Sequence, residues 1–176
     1  MIRTLKFRLF PTKKQRAKMR GILDECRWLY NHILQTRRDA YEHDGTSLSL
    51  YDINPMIPGW KDERPSLKIV HSQVLQNVSE RVQLAFQGFW RRCKSGEKPG
   101  YPRFKQEDRY DSFTFPQSGF SFCGVQILRI SGVGDVRIKK HRPLEGTIKR
   151  LTIWRDGTGC WFACFSMEVE ERVLPP

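Results

Sequence analysis

Between Lys98 and Lys105 the chain reads KPGYPRFK, with three cations (Lys98, Arg103, Lys105), two aromatics (Tyr101, Phe104) and two prolines (Pro99, Pro102). Ammonium and guanidinium groups pair with phosphates, and aromatic faces stack on unpaired bases. Each proline holds its preceding residue in extended backbone, so the segment is a stiff elbow. It suits two roles: a hinge between rigid units, or a fitted surface for a long polyanion.

Chemistry that breaks bonds is harder to find. His32, His43, His71 and His141 follow no metal-ligand spacing. There is no G-x-S-x-G segment and no Walker A loop. The glycines of Ser131–Val136 lie at a turn between strand-like runs with no helix after them, which argues against a phosphate cradle. The carboxylates of EVEERV suit a solvated strand end better than a two-metal site. The five cysteines (Cys26, Cys93, Cys123, Cys160, Cys164) contain no C-x-x-C pair. Cys160 and Cys164 would sit roughly 13 Å apart on a strand, too far for one zinc. A set of small, buried, reduced thiols is the expectation.

The charge supports the polyanion. Lys and Arg number 31 against 19 Asp and Glu, a net charge of +12. Residues 1–43 hold 11 basic and 4 acidic residues, and residues 91–110 hold 7 and 3, whereas residues 44–90 hold 4 and 5. Positive charge thus gathers at the start of the chain and around the elbow, as expected of a nucleic-acid binder. No run approaches the ~20 apolar residues of a membrane span. The N-terminus is too short and charged for a secretory signal, so a cytoplasmic protein is expected.

Which elements carry these residues? In IRTLKFRLF, Leu5, Phe7 and Leu9 alternate with Thr4, Lys6 and Arg8, as in a half-buried strand. Thr12 with Gln15 predicts a capping box and a helix beyond it. Met19, Leu23, Cys26, Tyr30 and Ile33/Leu34 form its apolar stripe, and Lys13, Lys14, Arg16, Arg20, Arg27, Arg37 and Arg38 its polar face. The helix should fray near His43-Asp44-Gly45. Residues 44–65 read as loop with a short helix near Ser49–Asn54. A second long helix is expected from about Ser66, with Val74, Val78, Val82, Ala85/Phe86 and Phe89 inward, ending at Ser95-Gly96. Strands are expected at Ser112–Pro116, Phe120–Ile130, Gly134–Lys139, Gly146–Trp154 and Cys160–Glu170, with a hairpin turn at Asp156–Gly159.

The first strand has no local partner and must pair with the later ones. The fold class is therefore α+β, an antiparallel β-barrel with a helical domain inserted after its first strand. The barrel would take residues 1–11 and 106–176, and the helical domain residues 12–105. The elbow would then lie where the two parts join.

Five motifs carry a resemblance: Lys6–Gln15 (KFRLFPTKKQ), Cys26–Leu34 (CRWLYNHIL), Leu75–Arg92 (LQNVSERVQLAFQGFWRR), Gly100–Lys105 (GYPRFK) and Gly146–Glu170. In order and spacing they resemble the N-terminal half of TnpB proteins. These are RNA-guided nucleases of IS200/IS605 transposons, also called OrfB and similar to type V CRISPR effectors. The resemblance implies a wedge (WED) barrel and an inserted recognition (REC) domain, with guide RNA and target DNA as partners. It implies backbone contacts from Lys6, Arg8, Lys13, Lys14, Arg27, Arg91, Arg92, Tyr101, Arg103, Phe104, Lys105, Lys139, Lys140, Arg142 and Arg150. It also implies Tyr51, Ser72, Gln76 and Thr114 as readers of the short DNA motif beside the target. Gln76 and Asn77 would otherwise be solvated helix residues.

A RuvC-like nuclease domain and a zinc ribbon follow in complete members, and the sequence stops near "EERVLPP", where they should begin. The expectation is a chain without catalytic acids, metal or other cofactor, which binds nucleic acid and does not cut it alone. Two other readings stay open. One is a stand-alone DNA-binding regulator using Thr12–Asp44 as a helix-turn-helix-like reader, although that helix looks too long for the motif. The other is the binding half of a split nuclease, its separate RuvC chain docking on an apolar patch near Trp161–Val169 or at Leu174-Pro175-Pro176.

Overall fold

A computed structural model describes residues 1–170. The elements run β1 (Ile2–Phe10), α1 (Lys13–Asp44), α2 (Leu50–Ile53), α3 (Ile57–Glu63), α4 (Ser72–Ser95), β2 (Ser112–Phe115), β3 (Phe120–Phe122), β4 (Ile127–Ile130), β5 (Gly134–Lys139), β6 (Thr147–Arg155) and β7 (Trp161–Glu168). Two compact units emerge. One comprises Met1–Arg20 with the described part of Asp111–Pro176, and the other Gly21–Tyr110.

The first unit is an antiparallel seven-stranded sheet, ordered β2-β6-β7-β1-β5-β4-β3. The N-terminal strand lies in its middle, with Leu5 opposite Phe165, Phe7 opposite Ala163 and Leu9 opposite both Trp161 and Ile138. Period-two alternation explains this placement, because Phe7 and Leu9 must bury one face and the hairpin β6–β7 supplies it. The edge strands β2 and β3 approach each other through the Phe115 and Phe120 rings, 6.1 Å apart, so the sheet curls into a nearly closed barrel. Phe165 sits at the centre of the core, meeting Phe7 (6.0 Å), Phe120 (6.3 Å) and Phe122 (5.5 Å).

Turn chemistry closes the β6–β7 hairpin as expected. Asp156 Oδ1 accepts from the Thr158 amide (2.9 Å), the Thr158 hydroxyl (2.7 Å) and the Cys160 amide (2.9 Å), and Gly159 takes φ 85°. Phe120–Ile130 is not one strand. It folds as the pair β3 and β4 around a turn with Gly124 at φ 87°, a backbone that glycine adopts without steric cost.

In the second unit, α1 buries Leu23, Cys26, Tyr30, Ile33 and Leu34, and α4 buries Val74, Leu75, Val78, Val82 and Phe86. The capping box at the start of α1 is present. The Gln15 amide donates to Thr12 Oγ1 (3.2 Å), and Gln15 Oε1 accepts from the Thr12 amide (3.0 Å). Gly45 (φ 64°) and Gly96 (φ 74°) follow the ends of α1 and α4 in left-handed backbone.

Residues 44–65 contain more helix than expected. Pro58 reads as a breaker but occupies the first turn of α3, where its missing N–H costs nothing. Pro65–Ile69 form a 3-10 turn, so α4 begins at Ser72 and not near Ser66, with His71 Nδ1 accepting from the Gln73 amide (3.2 Å).

The thiols also differ from expectation. Cys26 is buried, but Cys93 and Cys123 are exposed and Cys160 and Cys164 half-buried, all five being free. Among the described residues no helix is long and apolar enough to cross a membrane.

Candidate nucleic-acid interface

The elbow is tied to α1 by one side chain. Asn31 Oδ1 accepts from the Lys105 amide (2.7 Å), and Asn31 Nδ2 donates to the Lys105 carbonyl (2.9 Å). A carboxamide presents the same donor and acceptor as a peptide, so Asn31 acts as a one-residue strand partner. Further along, Arg92 Nη2 donates to the Gly100 carbonyl (3.2 Å), and the Tyr101 ring stands edge-on to Phe86 (5.6 Å) and Phe89 (5.3 Å). The elbow is therefore an ordered wall.

Between this wall and α4 lies a groove of about 870 Å³. Five cations line it (Arg92, Lys98, Arg103, Lys105, Arg109) together with the rings of Tyr30, Tyr101 and Phe104, and no carboxylate does. The Arg38 guanidinium stands over Tyr101 (5.5 Å) and Phe104 (5.7 Å), and the Lys105 ammonium over Tyr30 (5.4 Å). Burial pushes the Tyr101 phenol above its ordinary value, against the pull of Arg38 and Arg37, which keeps it a neutral stacking surface at physiological pH. Unpaired cations beside half-exposed rings are what a phosphate backbone with unstacked bases would meet.

The structure brings Arg92, Tyr101, Arg103, Phe104 and Lys105 together in this groove, and it leaves Arg27 and Arg91 outside. Arg91 is exposed beside Trp90 and Lys94, and Arg27 is half-buried near Asp24 and Glu107. Lys98 and Arg109 line the groove although they were not among the expected site residues, and Arg38, paired with Glu42 (3.8 Å), stands over two of its rings. Lys98 opens the elbow and Arg109 follows it by four residues, which was the available signal.

In the barrel unit the cations share outward positions. Arg8 on β1 lies directly opposite Lys139 on β5, and Phe10 opposite Arg137. Like charges facing across a sheet are destabilising, so this pairing is better suited to an anion than to the isolated barrel. The Lys6 ammonium stands over Trp154 (5.2 Å) and Phe162 (4.9 Å), whose rings are 5.3 Å apart, and Lys140 over Phe122 (5.0 Å). Trp154 and Phe162 alternate with the core positions of β6 and β7, so their place on the opposite face was legible in the pattern. Lys13 and Lys14 are exposed in the first turn of α1, which has no acidic residue. Cations at a helix N-terminus oppose its dipole by ~0.3–1 kcal/mol each. Arg142 and Arg150 are exposed.

Of the residues expected to read duplex DNA, Tyr51 is 81% exposed, and Ser72 and Gln76 are exposed one turn apart on α4. Ser72 Oγ accepts from Lys61 Nζ (3.1 Å). Thr114 is differently placed. It is buried on β2 with its hydroxyl 2.9 Å from that of Thr152, so its side chain is spent on strand pairing. Asn77, taken as solvated, is buried and accepts from Arg81 (3.1 Å) through Oδ1.

Among the described residues, neither arrangement expected of the other readings is present. Residues Thr12–Asp44 are one unbroken helix after its cap, with no turn between two short helices. Trp161, Ala163, Phe165 and Met167 face the barrel core, so there is no exposed apolar patch along β7, and Leu174-Pro175-Pro176 lie outside the described residues.

Comparisons with known proteins bear on the sequence and the fold. Residues 1–46 match the family model of the OrfB/IS605 type described as "Helix-turn-helix domain"; here that stretch forms β1 and α1. A protein of Escherichia coli (strain K12) named as the RNA-guided DNA endonuclease InsQ is 25% identical over 99% of this chain and 42% of its own length. A protein of Streptomyces pristinaespiralis, also named as an RNA-guided DNA endonuclease, is 28% identical over 98% of this chain and 42% of its own. The chain thus spans about two fifths of the length of these relatives. In fold it is similar to a chain of a Cas12f1–sgRNA–target DNA complex, with a TM-score of 0.52 and 12% identity over 97% of this chain and 49% of that one. The chain is TnpB-like in sequence, and its barrel-and-helix fold has a Cas12f neighbour.

Proposed function

We propose that this TnpB-like chain binds guide RNA and target DNA for an RNA-guided DNA endonuclease. In this reading the barrel unit and the elbow hold RNA backbone, and the helical unit holds the guide–target duplex and presents Tyr51, Ser72 and Gln76 to the DNA beside the target. Binding, and not bond cleavage, is the role assigned to these residues. The relatives' names support RNA and DNA as partners.

The observation that carries the reading is the elbow groove, where five cations and three aromatic rings converge without a carboxylate. Among the described residues none of these five cations stands in an ion pair that would account for it. A groove of this composition attracts any single strand through counterion release, and stacking adds ~1–3 kcal/mol per base.

The test begins with the nucleic acid that travels with the purified protein. A discrete structured RNA ending in a variable segment is expected, and DNA alone would overturn the reading. Replacing Arg103 and Lys105 together by Ala should then weaken RNA binding at least ~tenfold and flatten the salt dependence by about 1.4 in log–log slope, two single-strand phosphate contacts' worth. Unchanged affinity and slope would reduce the elbow to a hinge.

A further inference from the structure

Behind the elbow, on the other side of Tyr101, lies a second and smaller pocket. Its volume is about 350 Å³, at the low end for ligand sites and of the size of one nucleotide. Tyr41, Phe86, Phe89, Trp90 and Tyr101 supply its aromatic walls, and Arg37 lines it from α1. Tyr101 belongs to both cavities and is the partition between them.

Arg37 is the unusual member. It is only 4% exposed, yet no carboxylate lies within ion-pair distance of it among the described residues. Its guanidinium lies 4.1 Å from the Phe86 ring centroid, and Nη1 donates to Gln83 Oε1 (2.8 Å). Asp52 acts on it only at a distance, and the Asp52 carboxylate is already engaged by the Ser49 amide (2.8 Å) and hydroxyl (3.0 Å). Burial accordingly pulls the Arg37 pKa below its ordinary value. A guanidinium has five N–H donors. The Gln83 bond engages Nη1 alone, and none of the other Arg37 nitrogens is sealed away without a partner, so they remain open to an acceptor. Phe86 and Gln83 fix its plane, so the remaining donors are preorganised for an acceptor that enters the pocket.

We propose that this pocket receives a single unstacked guanine from an RNA strand lying in the elbow groove, its ring held among Phe89, Trp90 and Tyr101 and its O6/N7 edge facing the Arg37 fork. The proposal rests on the nucleic-acid reading of the groove and specifies what one of its bases does. Three observations select the ligand. The walls are aromatic, which suits a flat ring. The one charged group is a planar fork, whose preferred base partner is the adjacent acceptor pair of guanine. The pocket shares a wall with the cationic groove, so a strand with its phosphates on Arg103 and Lys105 need turn only one base past Tyr101.

The experiment uses the full chain and fluorescently labelled uridine hexamers carrying one central substitution: guanine, 7-deazaguanine or an abasic site. The guanine hexamer should bind at least ~tenfold tighter than the abasic one, and 7-deazaguanine, which lacks the N7 acceptor, should lose several-fold. Arg37→Lys keeps the charge but not the fork and should erase the difference between guanine and 7-deazaguanine. Trp90→Ala, at a partly exposed position, should bring guanine close to abasic and covers the case in which the Arg37 variant fails to fold. Equal binding of guanine and abasic hexamers, with the Arg103/Lys105 dependence intact, would overturn the pocket assignment and leave the groove reading standing. A preference for guanine over 7-deazaguanine that survives Arg37→Lys would also overturn it. Absence of any hexamer binding would overturn the groove reading and the pocket with it.

Discussion

Asn31 offers the sharpest separation between shape and charge in the elbow. Its carboxamide makes two hydrogen bonds to the Lys105 backbone, at 2.7 and 2.9 Å, and carries no charge. Each such bond contributes ~1 kcal/mol net, so Asn31→Ala should loosen the elbow by about 2 kcal/mol. That is a roughly thirtyfold increase in the local opening equilibrium. Lys105→Ala does the reverse. It removes the ammonium over Tyr30 and keeps both backbone bonds. Native-state hydrogen exchange at the Lys105 amide reads the first effect, and RNA affinity at several salt concentrations reads the second. Asn31→Ala should speed exchange by about that factor and weaken RNA binding with the salt slope unchanged, because every cation remains. Lys105→Ala should leave exchange alone and lower the slope by about 0.7. Unaltered protection of the Lys105 amide in Asn31→Ala would refute the claim that this side chain holds the elbow in place.

Two further outcomes follow from the barrel. Gly146 has φ 100°, and a Cβ there would overlap the Glu168 carbonyl oxygen, so Gly146→Ala should cost roughly 2–4 kcal/mol in urea unfolding. Gly124→Ala, at φ 87° in open space, should cost only about 1–2 kcal/mol of backbone strain, and equal losses at the two sites would contradict this account. Asp156 is held below its ordinary 3.8, first by the Thr158 hydroxyl, with the Cys160 and Thr158 amides and the Arg8 charge adding to it against the opposing effect of burial. A depressed carboxyl stabilises the fold above the unfolded value and loses that contribution as pH falls through the folded one. The unfolding midpoints of the wild type and Asp156→Ala should therefore differ at neutral pH and converge as pH drops below 3.8, and a gap independent of pH would be the contrary result.

Local patterns made much of this architecture legible. Leu5, Phe7 and Leu9 announce a strand that needs distant partners, and Thr12 with Gln15 marks where α1 starts, because capping is settled within four residues. The cluster of cations and rings at Lys98–Lys105 is likewise local, and the structure gathers most of it into one groove. Pro58 and Gly59 misled because their types favour turns while their position at the head of α3 tolerates them. The β3–β4 turn was missed because Cys123–Gln126 interrupts a run that is apolar on both sides.

Three polar side chains share a burial that residue type conceals. Arg37, Asn77 and Thr114 occupy buried positions, and a reading by type puts Arg37 and Asn77 on the surface. Spacing already disagreed for Arg37, which stands four residues after Ile33 and three after Leu34, on the stripe that α1 buries. What compensates their burial comes from elsewhere: Thr152 for Thr114, Arg81 for Asn77, Gln83 and Phe86 for Arg37. Thr114 finds a hydroxyl and Asn77 a guanidinium, partners that match their own capacity. Arg37 finds one amide oxygen and a ring, which leave its charge without a counter-ion. A burial compensated in structure is a packing solution, whereas one left open beside a cavity indicates what should enter it. That difference, visible only once the partners are in place, separates Arg37 from the other two and directs attention to the aromatic pocket.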